Sequence, residues 1–221
     1  MKKLMMLVAA VSITAGGFAQ KFDSGDRNIE VNFTPLGGTP ISINNIKLRY
    51  FNSDASAFRL GIGISLANEK TRTGTTTDGE TELFTTESTF NFNLRPGYEH
   101  HFNGTERLSP YIGGELDVAL QTHKVEAEYE GAPNEVETNT TTGTNGFFRF
   151  GVNALAGFDF YFASKLYMGA EIGFGFSLLS MSDVEVEDTI DGFTEPDPVS
   201  QGTTMNIGPN FNGAIRLGFC F

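Results

Sequence analysis

Gly208-Pro-Asn-Phe-Asn-Gly-Ala-Ile-Arg-Leu-Gly-Phe-Cys-Phe221 closes the sequence and decides how the rest is read. Phe211, Ile215, Leu217, Phe219 and Phe221 share one parity, and Asn210, Asn212, Arg216 and Gly218 share the other. An extended strand sends alternate side chains to opposite faces. This one therefore has an apolar face and a small, polar face. An outward aromatic at the very end fits the final strand of an outer-membrane barrel. Leu217, Phe219 and Phe221 read accordingly as the C-terminal signal for the barrel-assembly machinery. The usual meaning of alternation is then reversed: the apolar face meets lipid and the polar face lines the interior.

Seven earlier runs repeat the pattern. They are marked by Ile29, Val31 and Phe33; by Ile46, Leu48 and Tyr50; by Phe58 through Leu66; and by Phe90, Phe92 and Leu94. Ile112 to Leu120, Phe148 to Phe160 and Leu166 to Leu178 supply the rest. No helical period of comparable strength appears. An even number of spans, each of about ten residues, predicts an all-β fold: a closed eight-stranded antiparallel transmembrane β-barrel.

The connections alternate in length. Short ones follow Tyr50, Tyr98 and Phe160 and are read as periplasmic turns. Long ones, Asn68–Glu82, His123–Gly146 and Ser182–Thr203, are read as outside loops. These three carry 3 bases against 16 acids. The spans are thus close to neutral and the outside rim strongly acidic. Val125-Glu-Ala-Glu-Tyr129 keeps the alternation, so the fifth strand is a candidate to project beyond the lipid. Tyr50, Tyr98, Tyr111, Tyr161 and Tyr167 sit beside the short turns. Parity turns only Tyr50 and Tyr98 outward, which leaves the other three to close the mouth at that end. Pro96 and Pro209 fall within spans, where a missing N–H predicts a bulge.

Residues 1–19 read as a signal peptide and 20–221 as the barrel domain. Lys2 and Lys3 precede an apolar run from Leu4 to Ala15, and Gly17-Phe18-Ala19 offers a small-residue cleavage site. Without that leader the chain carries 13 bases and 27 acids, which excludes nucleic acid as a partner on electrostatic grounds. Cys220 is the single cysteine, so no disulfide or zinc framework forms within one chain.

The inward parity collects six bases, Lys47, Arg49, Arg59, Arg95, Arg149 and Arg216, and six acids, Glu30, Glu87, Glu115, Asp117, Asp159 and Glu171. Unpaired buried charges cost several kcal/mol each, so equal numbers predict a mutually paired interior network. Inward glycines leave room for such side chains in a narrow ring. A selective ion path is the rival use of the same residues, although a balanced set creates no field that favours one ion sign.

Candidate chemistry is sparse. His100-His101 lies at a short turn, where Glu99 or Glu106 could complete a metal site. His123 with nearby Thr122 would need an orienting third group to act as a base. Asp183, Glu185, Glu187, Asp188 and Asp191 could offer calcium ligands, but their spacing is not that of an EF-hand. No phosphate-binding glycine loop is present. Each reads more simply as a solvated turn or loop, and no catalytic residue, cofactor or metal is expected.

The whole stretch after the leader resembles the small outer-membrane β-barrel proteins of Bacteroidetes, of the OmpA/OmpX-like, porin-like type. The resemblance is carried by Ala19-Gln20, Ile46-Lys-Leu-Arg-Tyr-Phe51, Phe58-Arg-Leu-Gly-Ile-Gly63 and Leu217-Gly-Phe-Cys-Phe221. It implies the cell outer membrane as location, membrane lipids and the assembly machinery as partners, and a monomer. Asp188-Thr189-Ile190 matches a short glycosylation motif of exported proteins from that group. A fold of this kind does not fix an activity. The expected role is structural, or surface contact through the acidic loops. A small pore, a soluble lipocalin-like ligand binder and a lipid-modifying membrane enzyme are the alternatives.

Overall fold

A computed structural model describes residues 21–33, 41–75, 82–130, 140–188, 197–211 and 215–221. Ten antiparallel strands form among them. They are β1 (Arg27–Phe33), β2 (Ile41–Ser53), β3 (Ser56–Thr75), β4 (Glu82–His101) and β5 (Leu108–Glu130). The others are β6 (Thr140–Ala163), β7 (Leu166–Met181), β8 (Glu185–Asp188), β9 (Thr203–Phe211) and β10 (Ile215–Cys220). Each of β1 to β6 pairs with its successor, β7 pairs with β10, and β10 pairs with β1. The sheet therefore closes in a ring through eight strands. Residues 1–19, read as a leader, lie outside the described residues.

The eighth run is divided. β9 and β10 both pair with β7, but Ile172↔Phe211 and Gly169↔Arg216 differ in register by two residues. β8 lies outside the ring. It takes the β6 edge at Thr141–Thr144, beyond Phe147↔Met181 where β7 stops.

Two of the connections read as loops are largely strand. β3 continues to Thr75, paired with Glu82, and β5 and β6 remain paired out to Glu128↔Thr140. Their richness in Thr, Gly and acids looked like loop composition. Thr is β-branched, however, and favours a pleated surface. Asn68–Thr75 is accordingly strand; His123–Glu130, which holds no Thr, is strand as the alternation from Val125 to Tyr129 predicts, and β3 to β6 extend well past the apolar rows. The bulges expected at the prolines are also absent. Leu60↔Pro96 and Phe174↔Pro209 sit in uninterrupted register. The β4–β5 ladder only skips the rungs between Leu94↔Val118 and Gly97↔Glu115.

Facing follows from parity. Leu66 is 75% exposed, Ile207 64% and Phe174 58%, while Glu30, Arg49 and Asp159 are each 2% exposed or less. Apolar side chains are outside and charges inside, the reverse of a soluble barrel with a greasy interior. Tyr50 and Tyr98 face outward, and Phe58 meets Tyr98 edge-on with centroids 5.4 Å apart. Tyr111, Tyr161 and Tyr167 are fully buried at the short-turn end.

Two of the inward glycines show how close the approach inside the ring is. A Cβ on Gly97 would lie 2.9 Å from Arg59 Cγ and 2.8 Å from Glu115 Cβ. A Cβ on Gly218 would run into the Tyr167 ring. Gly218→Ala is therefore expected to destabilise the protein by about 1–3 kcal/mol through overpacking. Gly208→Ala, where nothing lies within 4 Å, is the matched control and stays within about 0.5 kcal/mol of the parent. Urea midpoints of the two refolded variants make the comparison.

Candidate functional site inside the ring

The inward residues nearest the short turns come from seven strands that meet at one level. β1 brings Glu30, β2 Lys47 and Arg49, β3 Arg59, β5 Glu115, β6 Asp159 and β7 Glu171, with Arg216 from β10. Arg49 is the hub. It forms an ion pair with Glu30 and lies 3.0 Å from Glu99 Oε2 and 2.7 Å from Asp159 Oδ2. Its Nη2 donates to Tyr167 Oη at 3.1 Å, and Tyr167 Oη donates to Glu30 Oε1 at 2.8 Å.

The other three bases extend the lattice. Arg59 reaches Glu99 at 2.9 Å, Glu115 at 3.0 Å and Glu171 at 2.8 Å. Arg216 reaches Glu30 at 2.9 Å and Asp159 at 3.2 Å, and also donates to the Phe158 and Ala170 carbonyls. Lys47 lies 3.3 Å from Glu171 and 3.7 Å from Glu30. Tyr111 Oη donates to Glu171 at 2.5 Å. Each guanidinium thus joins at least two carboxylates on different strands. The planar, five-donor guanidinium suits that task better than a point charge.

Beneath this lattice lies an aromatic floor. Phe22 stacks on Phe51 with centroids 3.7 Å apart, and His101 meets both rings. The segment bearing Phe22 is tied down by Gly25 N–H donating to the Phe51 carbonyl. Lattice and floor together occupy the ring interior at the short-turn end.

Above the lattice is a polar cavity of about 600 Å³. Lys47, Glu30, Glu115 and Glu171 form its base. Asn and Ser side chains from β1 to β4, β6 and β7 dominate its walls, including Asn32, Asn45, Ser65, Asn91 and Ser177. Arg149 Nε lies 3.0 Å from Asp117 Oδ2 in the wall, and Asn93 Nδ2 donates to Asp117 Oδ1.

Eight of the twelve residues named from inward parity share the lattice: Glu30, Lys47, Arg49, Arg59, Glu115, Asp159, Glu171 and Arg216. Asp117 and Arg149 form a separate pair higher in the cavity. Arg95 lines the same cavity, and no described residue makes an ion pair or hydrogen bond with it. Glu87 is exposed. Its parity is inward, but it sits on the projecting part of β4 above the lattice, so it is corrected out of the network.

Two members escaped the reading from sequence. Glu99 is fully buried and bridges Arg49 and Arg59, and His101 bonds Glu99 at 3.2 Å and Ser109 at 2.9 Å. Ending the fourth span at Tyr98 hid them. The odd parity of Asn91, Asn93 and Arg95 continues through Glu99 to His101. Phe22 precedes the first strand and carried no periodic signal.

The remaining candidates separate. His101 faces inward while His100 packs against Phe102 outside, so the pair shares no metal. Among the described residues no cluster of three metal-ligating side chains occurs. His123 Nδ1 hydrogen-bonds Thr89 Oγ1 at 2.9 Å rather than Thr122. Glu185, Glu187 and Asp188 belong to β8, and Thr189, Ile190 and Asp191 lie outside the described residues. Leu217 and Phe219 flank Gly218 on β10, with Phe219 and Phe221 exposed side by side.

A family model described as "Putative OmpA-OmpF-like porin family" matches residues 38–178. That stretch spans most of the lattice but not Glu30 or Arg216. No curated protein matches the chain, and no solved structure matches it.

Proposed function

The chain belongs to the OmpA-OmpF-like porin family, and on that footing we propose that it is a monomeric outer-membrane β-barrel with a sealed interior. Its role is structural, or surface contact through the projecting strands and acidic outside segments. The carrying observation is the lattice around Arg49, whose side chain and those of Glu99 and Asp159 are wholly buried across the ring. Water and ions would have to displace mutually bonded charges to pass, and breaking such bonds without replacing them is costly. The exposed apolar rows support a lipid-facing outer surface, which barrels in membranes carry as a continuous apolar band. In this reading the protein is not an enzyme and uses no cofactor. Membrane lipids surround it, and Leu217, Phe219 and Phe221 present the signal for barrel assembly.

Single-channel recording of the refolded protein in a planar bilayer tests the sealed interior, with the heat-dependent gel shift as the check of folding. The expected result is a folded protein that carries no steady current. Reproducible openings would replace this reading with that of a small pore.

A further inference from the structure

Within the ring, Arg95 differs from Lys47, Arg49, Arg59, Arg149 and Arg216 in having no carboxylate partner among the described residues. The β4–β5 register between Leu94↔Val118 and Gly97↔Glu115 places it across from Asp117. Asp117, however, is already engaged by Arg149 on one oxygen and by Asn93 on the other. Arg95 lies instead along Gly61, where a Cβ would sit 3.2 Å from its Nε, and among the described residues that Nε has no hydrogen-bond partner. A guanidinium lining a cavity without a carboxylate partner is set to receive one from elsewhere, because such pairs are bidentate and charge-assisted.

The cavity gives the visitor a shape. The ion lattice lines its base, so its binding walls are those of a cup. On the opposite side, Glu87, eight residues before Arg95 on the same parity, is exposed, which marks the inner face of that end as reached by solvent. A volume of about 600 Å³ admits a small solute with its polar groups paired to wall amides and hydroxyls. The charge of the solute is limited by what is left over. Lys47 and Arg149 are engaged by Glu171 and Asp117, so one base remains for one negative charge. A doubly charged phosphate would lack a second base.

We infer that this cavity binds a small, polar solute carrying a single carboxylate, held by Arg95. The sealed interior is not required for this: a conducting ring would hold the same site.

The test uses the refolded full-length protein with N-acetylglycine as probe. Uncharged N-acetylglycinamide and doubly charged methyl phosphate are the comparison solutes. Equilibrium dialysis should show saturable binding of N-acetylglycine with a Kd of about 1 mM, and none of the amide. Arg95→Gln should weaken it about tenfold or more, the usual effect of losing a charge-assisted hydrogen bond. In the parent protein, the arginine Nε–Hε resonance that moves with N-acetylglycine should be the one missing from Arg95→Gln. Arg95→Lys, which keeps the charge, should retain partial affinity and serves if Arg95→Gln does not fold. No saturable binding by the parent up to about 50 mM, or unchanged binding in Arg95→Gln, would overturn the assignment. Tighter binding of methyl phosphate than of N-acetylglycine would overturn the single-carboxylate class.

Discussion

Replacing Arg49 with Met is expected to lower the stability of the folded ring by about 3–5 kcal/mol, the usual loss when one partner of a buried ion pair is removed. Three carboxylates, from Glu30, Glu99 and Asp159, converge on this one guanidinium. Arg216 still serves Glu30 and Asp159, and Arg59 still serves Glu99. The remaining bases are thus outnumbered in a region that water does not reach, and Tyr167 loses the donor to its hydroxyl. Arg49→Lys should fall between, since an ammonium keeps the charge but cannot fork between acids on β1, β4 and β6. Adding Asp159→Asn to Arg49→Met should recover part of the loss by removing one of the stranded charges. The sequence has no tryptophan, so urea midpoints are followed by circular dichroism and by the gel shift. If Arg49→Met unfolds at the parent midpoint, the lattice does not hold the ring together.

How far the interior could be read in advance depends on what set each residue's neighbours. Parity alone selects the inward side, and it placed Glu30, Lys47, Arg49, Arg59, Glu115, Asp159, Glu171 and Arg216 on it. It cannot say which inward residues share a level, because that depends on the stagger between strands. Glu87 and Glu99 show this well. Both have inward parity on β4, yet twelve positions of a strand separate them, about 40 Å at the usual rise per residue. One ends among buried guanidiniums and the other in solvent. Glu99 looked like a turn residue because it borders His100-His101, and a polar dipeptide beside a connection is the ordinary mark of a turn.

The ring itself was legible for a different reason. Closing a sheet whose outer surface is apolar requires strict alternation on every strand, and the Phe- and Leu-rich runs supply it. The projecting parts of β3 to β6 were harder. Above the apolar rows both faces of a strand meet water, so on β3 and β4 hydropathy no longer alternates and only β-branching remains as a signal, whereas β5 keeps its alternation from Val125 to Tyr129. Thr71, Thr73, Thr75, Thr85 and Thr89 carry it there. Phe22 was beyond reach altogether. Its place against Phe51 depends on a chain segment folding back under the ring, which no local period encodes.

The outer surface yields the second large effect. Val152→Arg is expected to cost about 2–4 kcal/mol, and Phe160→Arg only about 0–1 kcal/mol. Both side chains are on the outer parity of β6, at 46% and 37% exposure, so a soluble ring would accept arginine equally at either place. A lipid surround would separate them. Val152 pairs with Leu116 and Phe176, deep among apolar outward neighbours on both sides. Phe160 pairs with Leu108 and Met168, close to the turn that joins β6 to β7, where a long arginine can carry its charge to the interface. The contrast must also depend on the solvent. Urea titrations in phospholipid vesicles should show the full difference. Equal, mild losses at both positions in vesicles would mean that the apolar rows do not face hydrocarbon, and the membrane-spanning assignment would fall with them.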